Sequence, residues 1–246
     1  MAGHSKWANI KRRKEAQDSK RGKIFTRLLR EVMVAARVGG ADPGGNPRLR
    51  TAIQECKANN VPNDNIDRAI KKGSGDLEGV NYEETSYEGY GPGGVAVLVD
   101  VMTDNKNRTV SEVRHAFTKY GGNLGENGSV SYLFEQRGYF AIDPGGIAEE
   151  ALMEVALDLD VDDISTEGDL YEVFTLPTRY IEVKEALAER GVEVMEAQLA
   201  QIPSTSVELD DTGAAKILRL LEALEELDDV QGVWSNFDGS EQQLGA

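Results

Sequence analysis

The sequence has few of the residues that form covalent cross-links or metal sites. It contains one cysteine, Cys56, and two histidines, His4 and His115, among its 246 residues. A single cysteine excludes a disulfide framework and any multi-cysteine zinc site, and it suits a reducing compartment. Two histidines far apart in the chain do not make up a structural zinc site. We therefore expect neither a metal nor a cofactor.

Long apolar segments are also missing. The longest apolar stretches, residues 32–36 and 95–99, are much shorter than the ~20 residues of a membrane-spanning helix. The polar N-terminus has no apolar core of signal-peptide length. We expect a soluble, cytoplasmic protein with no membrane partner.

The net charge of −16 conceals a strong asymmetry along the chain. Residues 1–72 contain 17 Lys and Arg against 7 Asp and Glu, whereas the remaining residues contain 10 against 36. A basic head on an acidic body is the asymmetry expected of a protein that binds nucleic acid or another anionic surface.

Apolar periodicity predicts three helices in the basic head. They span residues 20–38, 46–59 and 63–72, and glycine, proline and asparagine separate them. Asn46 followed by Pro47 is typical of a helix start. Residues 1–19 precede these helices as a polar arm, and residues 73–79 are predicted to be a linker.

The rest of the chain alternates between strand and helix patterns. Residues 139–202 follow the order β-α-β-β-α-β, which is the ferredoxin-like arrangement. The segments on either side supply a second set of the same kind, with strands at residues 95–101, 129–134, 205–209 and 230–237. The predicted fold is therefore α+β: an N-terminal three-helix bundle followed by two ferredoxin-like two-layer modules, one inserted in the other. A single long mixed sheet is the alternative.

These patterns predict three domains. The basic arm and helical domain span residues 1–76. A discontinuous α/β domain combines residues 77–136 with residues 204–246, and the inserted ferredoxin-like domain spans residues 137–203.

The sequence shows no recognisable catalytic site. Neither histidine lies near the cysteine in the chain, and no serine lies in a nucleophile elbow. Residues 89–94 match G-x-G-x-x-G, but they precede a predicted strand instead of following one, which favours a tight turn. Acidic pairs such as Asp228 with Asp229 are interpreted as solvent-exposed charge. We predict a protein that is not an enzyme.

The basic arm is the strongest functional signal. Residues 1–30 contain ten Lys and Arg against two acids, and such cations bind phosphates without a folded pocket. Trp7 and His4 add planar groups that stack on unpaired bases. The predicted nucleic-acid-binding residues are His4, Lys6, Trp7, Lys11, Arg12, Arg13, Lys14, Lys20, Arg21, Lys23, Arg27 and Arg30. The alternative is a solubilising tail with Trp7 packed against the bundle.

A second candidate anion site lies at residues 103–109, TDNKNRT, just before a predicted helix. Backbone N–H groups and the helix dipole attract anions at such a position. The candidate residues are Lys106, Arg108 and Arg114. Helix capping and loop solubility explain the same residues without an anion.

Four segments resemble the YebC family, which includes bacterial proteins labelled transcriptional regulators and a mitochondrial translational activator. They are residues 2–11 (AGHSKWANIK), 90–94 (YGPGG), 103–109 (TDNKNRT) and 121–134, which contain GGNLG and GSVSYLF. The resemblance spans nearly the whole chain. It implies a helical first domain, two α/β domains, no catalytic activity and contact with nucleic acid through the basic head.

We therefore expect a nucleic-acid-binding regulator of gene expression. One alternative is a DNA-binding transcriptional regulator, as the family label implies; the other binds ribosomal or structured RNA, with the ribosome as partner, and regulates translation. The head shows no recognition-helix pattern of Arg, Asn and Gln side chains. A different class of function is an interaction module whose acidic body binds a cationic protein partner.

Overall fold

The computed structural model describes residues 21–78, 81–166, 170–239 and 243. Its first part is a helical domain of three helices, α1 (Arg21–Gly39), α2 (Pro47–Ala58) and α3 (Asn63–Ser74). Asn46 begins α2 as predicted: its side-chain oxygen accepts the Leu49 N–H at 3.1 Å, and its amide donates to the carbonyl of Ala35 at 2.8 Å. The three helices enclose one apolar core.

The first α/β module has a four-stranded antiparallel sheet in the order β3-β1-β2-β8. Its elements are β1 (Glu83–Tyr90), β2 (Ala96–Thr103), α4 (Lys106–Lys119), β3 (Asn123–Leu124), α7 (Asp211–Glu225) and β8 (Val230–Ser235). Helices α4 and α7 cover one face of the sheet, where Val97, Phe117, Leu220 and Leu221 are buried together.

The second module lies between β3 and α7 in the chain. It comprises β4 (Phe134–Ile142), α5 (Glu149–Asp158), β5 (Asp163–Ser165), β6 (Tyr171–Thr175), α6 (Tyr180–Glu189) and β7 (Val194–Pro203). The antiparallel sheet has the order β5-β6-β4-β7, which is that of the predicted ferredoxin-like arrangement.

The predicted α+β class, with a helical region and two sheet modules, is confirmed. The described residues form two separate four-stranded sheets and not one long mixed sheet. The sheet faces that carry no helices pack against each other, so that Leu98 and Trp234 of the first module meet Tyr139 and Phe174 of the second.

Two predicted strands of the first module are wrong. Residues 129–133 form a turn, because the Glu88 carboxylate accepts the backbone N–H groups of Val130 and Ser131 at 2.7 Å and removes them from any strand ladder. Residues 205–209 contribute one isolated bridge, from Val207 to Phe237. Strand β1, which the sequence pattern does not predict, pairs with β2 over eight residues and supplies the missing strand.

The glycine-rich segment at residues 89–94 is a turn, as predicted. Residues Pro92–Gly94 form one 3-10 turn that leads into β2, and Gly93 and Gly94 adopt φ values of 73° and 80°. Such positive φ angles favour glycine, so the motif here closes a hairpin.

No helix in the described ranges is long and apolar enough to cross a membrane.

Candidate nucleic-acid interface

Most of the predicted arm residues lie outside the described residues. They are His4, Lys6, Trp7, Lys11, Arg12, Arg13, Lys14 and Lys20. Arg21 begins α1. The described part of the interface therefore starts with the three remaining cations, Lys23, Arg27 and Arg30.

These three cations bind the end of helix α7. The Lys23 Nζ donates to the Glu226 carbonyl at 2.8 Å, and the guanidinium of Arg27 donates to the Glu225 carbonyl. Carbonyl groups at a helix C-terminus lack hydrogen-bond donors within the helix and carry partial negative charge. These two cationic side chains supply the donors. Burial lowers the pKa of Arg27, although the nearby Glu225 opposes that effect. The cations thus hold the helical domain on the first α/β module.

Arg30 extends this contact to a buried carboxylate. Its guanidinium donates to the Asp228 carbonyl and lies 3.2 Å from Oδ1 of Asp229. Arg30 is 8% exposed and Asp229 is 2% exposed, so both charged groups have been removed from solvent. A buried ion pair is stabilised by further hydrogen bonds to its charged groups.

The TDNKNRT segment supplies the other partners of Asp229. Oδ2 accepts from Arg108 Nη2 at 2.5 Å, from the Thr109 hydroxyl at 2.7 Å and from the Thr103 hydroxyl at 3.0 Å. Burial opposes the charge, but these hydrogen bonds together hold the pKa of the carboxyl below its ordinary value. The segment therefore joins α4, the start of β8 and α1 at one carboxylate.

Acidic side chains contact two of the three cations of the second predicted anion site. The Lys106 Nζ lies 2.6 Å from Oε2 of Glu83, and this hydrogen bond raises the pKa of Lys106. Besides Asp229, Arg108 binds Asp104 at 2.8 Å. Arg114 is exposed further along α4 and forms no ion pair with the described residues.

Sequence reasoning missed three buried carboxylates, Asp229, Glu88 and Glu172. The interpretation of Asp229 as solvent-exposed charge is wrong, because the α7–β8 turn places it beneath Arg30 and Arg108. Glu88, in the unassigned strand β1, is 5% exposed and accepts backbone N–H groups from the loop that contains Gly128. Glu88 lies between Tyr87 and Gly89, whereas Asp229 follows Asp228 in an acidic pair, so no common local signal marks both.

The described residues contain no cluster of three or more His, Cys, Asp or Glu side chains that could hold a metal ion.

Comparison with known proteins agrees with this architecture. Residues 5–76 match the family model of the TACO1/YebC protein N-terminal domain, and residues 82–237 match that of the TACO1/YebC second and third domain. A probable transcriptional regulatory protein from Nitrosococcus oceani is 58% identical over 245 residues, which cover 99% of this chain and 98% of that protein. One from Magnetococcus marinus is 54% identical over 243 residues, covering 98% and 97%.

A solved structure shows the same fold. The crystal structure of a conserved hypothetical protein from Aquifex aeolicus superposes with a TM-score of 0.83 at 51% identity, covering 91% of this chain and 93% of that one. The resemblance that the four sequence motifs indicated is thus confirmed, and this chain belongs to the TACO1/YebC family.

Proposed function

We propose that the protein is a cytoplasmic, non-enzymatic regulator of gene expression that binds nucleic acid through its basic arm. The observation that carries this proposal is the segregation of charge: residues 1–72 have 17 Lys and Arg against 7 Asp and Glu in a chain whose net charge is −16. Cations concentrated in this way bind phosphates and release counterions. The regulatory names of the relatives support the same role.

The described contacts divide the predicted cations into two groups, those that hold the fold together and those proposed to bind nucleic acid. Lys23, Arg27 and Arg30 hold α1 against the end of α7, and the arm precedes α1 in the chain. Helix α1, which follows the arm in the chain, is therefore fixed to the first α/β module. The proposed contact residues are the remaining members of the predicted set, His4, Lys6, Trp7, Lys11, Arg12, Arg13, Lys14, Lys20 and Arg21.

The charges and aromatic residues of the chain bear on the choice between DNA and RNA. An acidic body, with 36 Asp and Glu against 10 Lys and Arg, repels a duplex laid broadly across it. Trp7 and His4 suit unpaired bases, which a structured RNA offers in its loops. These features favour RNA, including ribosomal RNA, and regulation of translation. The names of the relatives favour promoter DNA and regulation of transcription.

The test is charge reversal in the arm of the full-length protein. Lys11→Glu, Arg12→Glu and Arg13→Glu together should weaken binding to a hairpin RNA and to duplex DNA at least about tenfold, because phosphate contacts carry no base information. The matched control reverses two exposed cations of α7, Lys216→Glu with Arg219→Glu, and should leave affinity within about twofold.

Affinity equal to that of the parent in the arm variant would contradict the proposal. A different pair of results would identify an interaction module. The parent would then bind no nucleic acid, and both the parent and the arm variant would bind a cationic protein. The ratio of RNA to DNA affinity in the parent decides between the two targets.

A further inference from the structure

A small cavity lies between the N-terminal half of α1 and the turn that follows α7. Its volume is about 130 Å³, and its lining includes Gly22, Lys23, Thr26, Arg27, Arg30 and Asp228. A water molecule occupies ~30 Å³ in the liquid, so the cavity has room for about four of them. That space suits one tetrahedral oxyanion and is too small for a whole nucleotide.

The lining of this cavity carries three cations and one carboxylate. Lys23, Arg27 and Arg30 extend from α1, and Asp228 supplies the acidic side chain. Burial lowers the pKa of Arg27, Arg30 adds to that effect, and the opposing carboxylates of Glu225 and Asp228 do not cancel it. The cavity is therefore short of negative charge.

The cations have more hydrogen-bond donors than their contacts with α7 use. An ammonium group has three N–H donors and a guanidinium group has five. The Lys23 ammonium donates to the Glu226 carbonyl, and Nη2 of Arg27 donates to the Glu225 carbonyl. Each of these contacts accounts for one donor of its side chain.

Arg30 has a buried donor without an acceptor. The residue is 8% exposed, and it binds the Asp228 carbonyl and the Asp229 carboxylate through Nη1. Its Nε is buried and has no hydrogen-bond partner among the described residues. An unpaired buried donor is costly, and an oxyanion in the cavity that Arg30 lines would supply the acceptor.

We propose that this cavity binds one phosphate group of the nucleic-acid strand that the basic arm holds. The guanidinium groups of Arg27 and Arg30 donate to its oxygens, and the Lys23 ammonium balances its charge. The inference deepens the proposed function and rests on it. It assigns a folded phosphate site to three cations that also join the helical domain to the first α/β module.

The cavity follows the arm directly in the chain. Gly22 and Lys23 come immediately after Lys20 and Arg21, the last two residues of the proposed contact set. A strand bound along the arm therefore reaches the cavity without crossing the acidic body, which repels phosphates. The arm supplies affinity, and a phosphate held in a folded site fixes the position of the strand.

The first experiment titrates the 15N-labelled full-length protein with inorganic phosphate at neutral pH and follows its amide signals by NMR. The amide signals of Gly22, Lys23 and Thr26 should shift and saturate, whereas sodium chloride at equal ionic strength should not shift them. The control signals are those of Lys216 and Arg219, two exposed cations of α7, which should not shift.

Two substitutions at Thr26 form a matched pair. Thr26 is exposed, and its hydroxyl donates to the Gly22 carbonyl one turn earlier in the same helix at 2.9 Å. Thr26→Glu places a carboxylate at the cavity and should weaken phosphate binding at least about tenfold, whereas the uncharged Thr26→Gln, of the same size, should stay within about threefold of the parent.

Asp228→Asn is the converse test, because it removes the carboxylate from the lining. The backbone carbonyl that accepts from Arg30 remains in place. Phosphate affinity should rise at least about threefold, since a like charge next to the site is lost. A variant that fails to fold cannot produce such a gain, whereas an unchanged or weaker affinity would contradict the assigned site.

A second experiment determines which phosphate of the strand occupies the cavity. Its probes are a single-stranded RNA with a 5′-phosphate and the same RNA with a 5′-hydroxyl. If the cavity binds the terminal phosphate, Thr26→Glu should weaken the phosphorylated strand at least about tenfold relative to Thr26→Gln and leave the other strand unchanged. If it binds a backbone phosphate, both strands should lose affinity equally. Either result supports the inference.

The absence of phosphate-induced shifts in α1 would overturn the inference, and so would equal phosphate affinity in Thr26→Glu and Thr26→Gln. If Thr26→Glu removes phosphate binding without weakening either RNA, the cavity holds a free anion and the inference is wrong. The arm variant with Lys11→Glu, Arg12→Glu and Arg13→Glu tests the proposed function separately. If that variant loses RNA affinity in any of these cases, the proposed function stands; if the parent binds neither RNA, both proposals are wrong.

Discussion

Replacing the buried carboxylate of Asp229 by alanine should weaken the contact between the helical domain and the first α/β module and lower the free energy of unfolding. The change removes the acceptor of hydrogen bonds from Arg108, Thr109 and Thr103, and it leaves the Arg30 guanidinium, 8% exposed, without its counter-ion. Removal of one partner from a buried ion pair costs ~3–5 kcal/mol. A loss of that size is a large part of the ~5–15 kcal/mol that stabilises a typical domain.

The assay is urea unfolding followed by Trp234 fluorescence, in a Trp7→Phe background that removes the other tryptophan. Trp234 reports on the affected region because it lies on β8, which begins directly after Asp229, and its Nε1 donates to Asp100 at 2.7 Å. The matched control is Asp228→Ala. The Asp228 side chain is exposed, and the carbonyl that binds Arg30 belongs to the backbone, so the control should cost less than about 0.5 kcal/mol.

A double-mutant cycle with Arg30→Met isolates the ion pair. Because the two residues share a network, their effects should be non-additive by ~0.5–3 kcal/mol. A cost below about 1 kcal/mol for Asp229→Ala, or strict additivity with Arg30→Met, would refute the assignment of Asp229 as the centre of this contact.

Two further predictions concern the other buried carboxylates. Burial raises the pKa of Glu172 to about 7, although Tyr139 donates a hydrogen bond to it at 2.8 Å. The folded protein therefore holds this proton more tightly than the unfolded chain, whose pKa is ~4.3, and stability falls as the pH rises from about 4.5 to 7. Glu172→Gln should remove that fall, so that urea unfolding shows it more stable than the parent by up to ~3 kcal/mol at pH 8 and nearly equal to it at pH 4; an unchanged pH profile would contradict this. Glu88→Gln should weaken the loop by ~2 kcal/mol and speed amide hydrogen exchange at Val130 and Ser131 about 30-fold, whereas unchanged exchange would show that the carboxylate does not hold the loop.

The elements with strong local signals could be predicted from the sequence. Helix α1 follows from its apolar periodicity, and helix α2 follows from the Asn46–Pro47 start, because both signals lie within a few residues of the element that they specify. The inserted module follows in the same way. Strand β1 has no clear strand pattern because three glutamates and one glycine interrupt it. Its stability comes from eight pairs with β2 rather than from its own composition.

The site was harder to predict than the fold. The cations of α1 indicate an anionic partner, and the sequence does not show that Arg30 meets Asp229 about 200 positions away. A cluster of charged residues in the sequence indicates the sign of the charge that its partner carries. Only the tertiary contacts show whether that partner lies in the same chain. Glu88 was hard to predict for the same reason, because the backbone N–H groups that its carboxylate accepts lie about 40 positions away in the sequence.

The salt dependence of nucleic-acid affinity tests the central claim most directly. The log of the association constant of the full-length protein should be measured against log salt for duplex DNA and for single-stranded RNA. If about six to eight cations of the basic head meet phosphates, the slope on duplex DNA should lie near −5 to −7 and the slope on single strands should be shallower. A slope near zero on both would contradict a regulator that binds nucleic acid through its basic head.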